Sequence, residues 1–223
     1  MGSILTVGGL EVEFSKAEKW VSRYVERNAG IWSYPAYDSY PGSLSPDVAE
    51  QDLLATSLLN AHQKPITSYY TLTKLLPEIN ERLALLDDKN HETLSNGNEA
   101  VARDVAHLFG VLDGGRTPQV GMTKLSKVLH RKRPHLIPLY DKNIKRVYFI
   151  AGPKPRLSFQ TGRSWEGYAA AWIRAVQHDL HNQIDQWNRL AVLASEPRIT
   201  PLRALDIVAW GLGEARNPPA ELA

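Results

Sequence analysis

Apolar residues recur every three or four positions along most of the chain, in segments separated by glycine and proline, which is the spacing of one helix face. Residues 65–76 illustrate it: a helix is predicted to follow Pro65, with Tyr69, Leu72, Leu75 and Leu76 on one stripe. A second proline, Pro46 after Ser45, stands in a favoured first-turn position of another predicted helix. The same spacing predicts helices that begin near Ser15, Ser45, Pro65, Asn98, Thr123, Asp141, Ser164 and Thr200. We therefore predict a mostly α fold.

The first 14 residues follow a different pattern. Apolar residues alternate weakly around a glycine pair there, at Ile4, Val7, Leu10, Val12 and Phe14. This indicates either a short strand pair or an extended arm. We predict three regions: an N-terminal arm, helix and aromatic loop over 1–44, a helical domain over 45–215 that contains a hairpin at 118–150, and a flexible tail over 216–223.

The composition narrows the classes of function. Hydrophobic residues make up 43% of the chain and charged residues 22%, as in an ordinary globular protein. The absence of cysteine excludes a disulfide framework, a thiolate metal site and a cysteine nucleophile. No apolar stretch approaches the roughly 20 residues that span a bilayer, so we expect a cytoplasmic protein without a membrane partner. A phosphate-binding glycine loop is also lacking, and we predict no cofactor.

Positive charge is concentrated in one segment. Residues 124–146 contain eight lysines and arginines and one acid, whereas the rest of the chain carries 18 basic and 23 acidic residues. A local basic patch of this kind indicates a polyanionic partner. A solvated basic face without a partner is the alternative.

The same segment contains a turn between two helices. Gly121 permits a close approach of the backbone, and we expect Thr123 to cap the helix that carries Leu125, Val128 and Leu129. The amide groups at the start of that helix can hold an anion. A second helix is predicted to begin at Asp141, since a carboxylate favours a helix N-terminus.

In these residues the chain resembles the helix–hairpin–helix DNA glycosylase superfamily. That family has a Pro-Gly-Val-Gly hairpin, a threonine, an apolar helix and then an aspartate that starts another helix. Here Pro118, Val120, Gly121 and Thr123 match the hairpin, and Asp141 follows Pro118 by 23 positions without a gap. The residues after Asp141 are most similar to the adenine-excising branch. The chain departs from the family in having Gln119 for the first hairpin glycine and Leu125 for the small alanine.

The resemblance implies a base-excising enzyme that binds duplex DNA and acts on an extruded base. Asp141 would be the catalytic carboxylate, stabilising positive charge on the sugar and activating water. Thr123 stands where bifunctional members carry a lysine, which favours water as the nucleophile. The predicted nucleic-acid contacts are Val120, Gly121, Thr123, Lys124, Lys127, Arg131, Lys142, Lys145 and Arg146. His130 and His135, which flank the basic run, are expected to add phosphate contacts.

Three tyrosines, Tyr34, Tyr37 and Tyr40, stand in a loop rich in proline and glycine. They could stack on a base, or they could pin the loop to the body of the protein. His178 and His181 are three positions apart on a predicted helix, but two ligands do not make a metal site, and we predict no bound metal.

Alternatives to base excision remain at this stage. An aspartate before a helix is most often a cap, and Lys145 could pair with Asp141 at the surface. With Asp141 only a cap, the chain would be a non-catalytic nucleic-acid-binding module. An enzyme acting on a free nucleoside or nucleotide is the third possibility, although one nucleotide does not need eight basic residues.

If the basic segment contacts several phosphates, binding to duplex DNA will weaken steeply with added salt, because each neutralised phosphate releases counterions. Fluorescence anisotropy of a labelled duplex over a salt series measures this slope. A flat response would remove both DNA-binding hypotheses.

Overall fold

The computed structural model describes residues 3–26, 33–86, 93–150, 157 and 162–215. The chain begins with an antiparallel pair of strands, β1 (Ile4–Val7) and β2 (Leu10–Glu13), so the strand pair is the correct alternative for the arm. Gly8 and Gly9 form the connecting turn, and both have positive φ angles, which a two-residue hairpin turn requires. The predicted tail at 216–223 lies outside the described residues.

Helices make up most of the remaining described chain, which confirms the mostly α fold with a short strand arm. Their bounds are α1 Phe14–Val25, α2 Ala36–Ser39, α3 Ala55–Leu58, α4 Pro65–Ala84, α5 Glu99–Phe109, α6 Met122–Lys132, α7 Lys142–Lys145, α8 Trp165–His181, α9 Ile184–Ala191 and α10 Pro201–Ala215. A 3₁₀ turn at Glu50–Leu54 leads into α3, and a π-helical turn at Arg146–Ile150 extends α7.

Several predicted helix starts are confirmed by their caps. The Asn98 side chain accepts a hydrogen bond from the Ala100 amide, and the Ser164 hydroxyl accepts one from the Gly167 amide. These bonds satisfy backbone amides that have no partner in the first helical turn.

One predicted start is shifted by one residue, and one is wrong. Helix α1 begins at Phe14, one residue before Ser15, because strand β2 runs directly into it without a side-chain cap. No helix begins at Ser45, and the first helical turn in that region is the 3₁₀ turn from Glu50. Side chains of α6 bind the carbonyl groups of Ser43 and Ser45, which holds this segment in a non-helical path.

The core is built around α5, α8 and α10. Trp172 of α8 lies fully buried, with its ring edge-on to Phe109 of α5 at 5.8 Å and to Tyr140 at 5.0 Å between ring centroids. Helix α10 packs against α1, α7 and α9. The arm is fixed to this core, since the Gly8 amide donates to the buried carboxylate of Asp179 over 2.7 Å.

Helix α10 contains two glycines, Gly211 and Gly213, and continues to Ala215. Both glycines allow close approaches. A Cβ atom at Gly211 would press on the Trp20 ring, and one at Gly213 would collide with the backbone of Asn143 in α7. Gly213 therefore sets the distance between α10 and the start of α7, where Asp141 lies.

Substitution Gly213→Ala should lower the free energy of unfolding by about 2 kcal/mol, because the collision is with backbone, which cannot rotate away. Alanine would otherwise favour the helix by about 1 kcal/mol. Urea denaturation measures the change. Gly114→Ala is the control, since its Cβ atom would have no neighbour nearer than 3.9 Å. A Gly213→Ala protein as stable as the wild type would contradict the close approach.

Candidate functional site

The basic side chains of α6 point into the protein. The Lys124 ammonium group donates to the Gln63 carbonyl and the Ser68 hydroxyl. Lys127 donates to the Leu59 carbonyl over 2.9 Å. Both lysines are buried, and both hold the segment between α3 and α4.

The next turn of α6 binds the preceding loop in the same way. Arg131 donates twice to the Tyr40 carbonyl, at 3.2 and 2.8 Å, and Arg133 donates to the Pro46 carbonyl. Lys132 binds the Ser43 and Ser45 carbonyls and forms an ion pair of 2.9 Å with the buried carboxylate of Asp52.

Arg146 also binds within the fold, with its Nη1 donating to Asn143 Oδ1 and to the Gly213 carbonyl. Six of the eight basic side chains of the segment thus hold backbone carbonyl groups of the protein itself. Lys142 is exposed, and Lys145 is partly exposed. The prediction that these residues contact phosphates is untested, but the geometry leaves fewer free cations than the sequence suggested.

His130, expected to add a phosphate contact, is fully enclosed and bonds to the Ile137 carbonyl. Burial lowers the pKa of His130 to about 3, so the ring is neutral at physiological pH. The expectation for His130 is wrong. His135, in the same segment, is exposed, and the desolvation it does experience lowers its pKa.

A cavity of about 520 Å³ opens between α1, α6, α7 and α10. This volume falls within the roughly 300–1,000 Å³ of typical small-molecule sites. Its charged and hydroxyl-bearing side chains are Tyr24, Ser33, Thr123, Lys127, Tyr140, Asp141, Lys142, Arg203 and Asp206, with Trp210 among the apolar ones. Thr123 and Asp141, which the sequence motif placed together, therefore do line one cavity.

The hairpin residues contribute unequally. Val120 is buried, and Gly121 instead of Thr123 occupies the cap position of α6, so the capping role predicted for Thr123 is wrong. Thr123 begins the face of α6 that continues one turn later with Lys127. The sequence motif suggested this turn, but not that Lys127 would share the cavity.

Asp141 is confirmed as the start of α7. Its Oδ1 atom accepts hydrogen bonds from the amides of Asn143 at 2.8 Å and Ile144 at 2.9 Å. No hydrogen bond reaches Oδ2 from the described residues, and the side chain is only partly buried in the cavity wall. One oxygen caps the helix, and the other is available to a ligand.

A second carboxyl group, Asp206 of α10, shares the cavity and was not predicted as a site residue. It is 3% exposed, and its Oδ2 accepts a hydrogen bond from the Leu139 amide. Burial raises the pKa of Asp206 well above the usual aspartate range, and the charge of Asp141 raises it further, while Arg203 opposes the shift. Burial therefore favours the protonated form of Asp206 more than it does for an exposed aspartate.

Lys127 is the buried lysine of this cavity, whereas Lys142, which also lines it, is exposed. Burial lowers the pKa of Lys127 to about 8, the Arg203 charge lowers it too, and Asp141 acts in the opposite direction. The local sequence could not reveal these shifts, since they arise from groups brought together by α6, α7 and α10.

The tyrosines proposed for base stacking make contacts that pin their loop. Tyr37 is completely buried and donates to the Lys127 carbonyl, Tyr34 donates to the Pro197 carbonyl, and Tyr40 donates to the Gln51 carbonyl. None of the three lines the cavity. The aromatic side chains that do line it are Tyr24, Tyr140 and Trp210.

The described part of the chain contains no group of three histidine, aspartate or glutamate side chains able to hold a metal ion. His181 bonds instead to the Ser95 carbonyl. Within the same residues, no helix combines the length and apolar character needed to cross a membrane.

Comparison with known proteins gives one match. The protein-family model described as "Family of unknown function (DUF6308)" matches residues 17–213, a span that includes every cavity residue named above. No curated protein matches the chain, and no solved structure does.

Replacing Lys132 by methionine should lower the free energy of unfolding by about 3 kcal/mol, because the buried Asp52 carboxylate loses its cation. Lys142→Met, at an exposed position, should change it by less than about 0.5 kcal/mol. Chemical denaturation of both variants measures the difference. Equal stabilities would show that the basic run does not hold the loop.

Proposed function

We propose that this chain, which belongs to the DUF6308 family, hydrolyses the N-glycosidic bond of a nucleoside unit held in the Asp141 cavity. The observation that carries the proposal is the meeting of two carboxyl groups, Asp141 and Asp206, in one cavity beside the turn at Thr123, with the pKa of Asp206 raised by burial.

Asp141 suits the role of charge stabiliser. Breaking an N-glycosidic bond builds positive charge on the sugar, and a fixed carboxylate beside it lowers the energy of the transition state. The two amide bonds to Oδ1 hold the carboxylate in one orientation. Oδ2 can then face the sugar or a water molecule.

Asp206 suits the role of proton donor to the leaving base. In the proposed reaction the oxygen of water bonds to the sugar C1′ while the C1′–N bond breaks, and its electron pair stays on the base. The base takes a proton from Asp206, and the proton lost by water goes to Asp141. The products are a free base and a free sugar, and a proton exchanged through solvent restores both carboxyl groups.

The cavity lining supports a flat, partly apolar ligand. Tyr24, Tyr140 and Trp210 provide aromatic surface, and Trp210 is partly exposed, as expected near the cavity mouth. The cavity volume is ample for a nucleoside.

A small substrate fits the charge distribution better than duplex DNA does. The eight basic residues argued for a long polyanion, but six of them bind carbonyl groups of the protein. Excision of a base from DNA is the second candidate, and the exposed Lys142 on the cavity rim favours it, together with the motif that places Thr123 and Asp141 in one cavity.

Asp141→Asn should reduce base release by a factor on the order of 10²–10⁴, since asparagine loses the charge but keeps the helix cap. The measurement is chromatographic detection of free base from the common nucleosides, their monophosphates and a single-stranded or duplex oligonucleotide.

The matched control is Asp113→Asn. Asp113 also accepts hydrogen bonds from two amides at a helix start, those of Trp165 and Glu166, but lies outside the cavity. This variant should retain full activity. If the Asp141→Asn variant still releases base, Asp141 is not the catalytic residue. If the wild-type protein releases base from none of these substrates, the proposal is wrong.

A further inference from the structure

Three cationic side chains line the cavity: Lys127, Lys142 and Arg203. Lys127 and Arg203 are only 6% and 5% exposed. Burying two cations is costly unless each has partners, so their remaining hydrogen-bonding capacity is informative.

Arg203 is held rigidly by one side of its guanidinium group. Nε donates to Asp38 over 2.9 Å and Nη2 to the Tyr24 hydroxyl over 2.6 Å, while the group stacks near the rings of Tyr24 and Tyr37. Its Nη1 makes no hydrogen bond within the described residues, although Arg203 belongs to the cavity wall. A fixed cation with an unused donor lies at the cavity.

Two further groups have unused donors. Lys127 has three N–H groups and gives one to the Leu59 carbonyl. Asn143 accepts from Arg146 through Oδ1, and its Nδ2 has no hydrogen-bond partner in the described part of the chain. Asn143 also lines the cavity and is buried.

The lining also contains two carboxyl groups. Asp141 lies in the cavity wall, burial raises the pKa of Asp206, and Asp38, which lies outside the lining, pairs with Arg203 over 2.9 Å. Lys127 and Arg203 therefore bring unused N–H donors to one cavity from buried positions, where the attraction between a cation and an anion is stronger than in water.

We propose that Lys127, Arg203 and Asn143 bind the phosphate group of the substrate, so that the substrate is a nucleoside monophosphate. The donors come from three separate side chains, which suits a tetrahedral phosphate. A planar carboxylate would prefer the paired donors of one arginine, and here Asp38 and Tyr24 occupy two of those donors. This inference rests on the proposed function for the sugar and base, and adds the class of substrate.

The test compares ribose 5-phosphate with ribose as ligands of the full-length wild-type protein, by isothermal titration calorimetry. We expect ribose 5-phosphate to bind at least tenfold more tightly and inorganic phosphate to compete with it. In the hydrolysis assay, monophosphates should have kcat/KM values at least tenfold above those of the nucleosides.

Lys127→Met should reduce the preference for ribose 5-phosphate at least tenfold. Lys132→Met is the matched control, since Lys132 is a lysine of the same helix with a buried side chain whose partners Ser43, Ser45 and Asp52 all lie outside the cavity. It should keep the preference. If the Lys127→Met variant does not fold, the affinities of the wild-type protein for ribose and ribose 5-phosphate still test the phosphate site.

Equal affinity of the wild type for ribose and ribose 5-phosphate would overturn the phosphate site, as would an unchanged preference in a folded Lys127→Met protein. Hydrolysis of nucleosides and monophosphates at equal rates would overturn it while leaving the proposed function intact. Tight phosphate-dependent binding without release of any base would leave the phosphate site and remove the proposed hydrolysis.

Discussion

The structure depends on the hydrogen bonds between the basic side chains of α6 and the backbone carbonyl groups of residues 40–63. This part of the chain has little regular secondary structure, so its carbonyl groups need partners from elsewhere. Buried ammonium and guanidinium groups need acceptors for the same reason. The carbonyl groups and the cationic side chains satisfy each other through hydrogen bonds. Lys127 and Lys124 thereby fix Leu59 and Gln63, which form one wall of the cavity.

The burial of these side chains in the cavity wall also shifts the pKa values of the titratable groups there. The same loss of water raises the pKa of Asp206 above the usual aspartate range and lowers that of Lys127 to about 8. In the proposed reaction, two carboxyl groups in different surroundings would serve as base and acid. The fold supplies this difference without a metal ligand set among the described residues.

Sequence reasoning succeeded where a signal is local. The helix starts near Asn98 and Ser164 and the aspartate at the start of α7 all depend on bonds within a few residues. It did not reveal the internal bonds of the basic run, because lysine and arginine are seldom buried and their carbonyl partners lie some 60 to 90 positions earlier in the chain. Asp206 and Arg203 were not predicted as site residues, because they lie among the apolar residues of α10 and their partners are distant in the sequence.

In the proposed reaction Asp141 would be both a helix cap and the catalytic carboxylate, and the two roles are compatible. A capping bond uses one carboxylate oxygen and fixes the χ angles, so that the other oxygen is held in place before any ligand arrives. A group already oriented requires no reorganisation during the reaction, which is the main source of electrostatic catalysis. Gly213 completes this arrangement, because only a residue without a Cβ atom lets α10 press against the backbone that immediately follows Asp141. The orientation of the carboxylate therefore depends on a contact between helices that no local motif in the chain records.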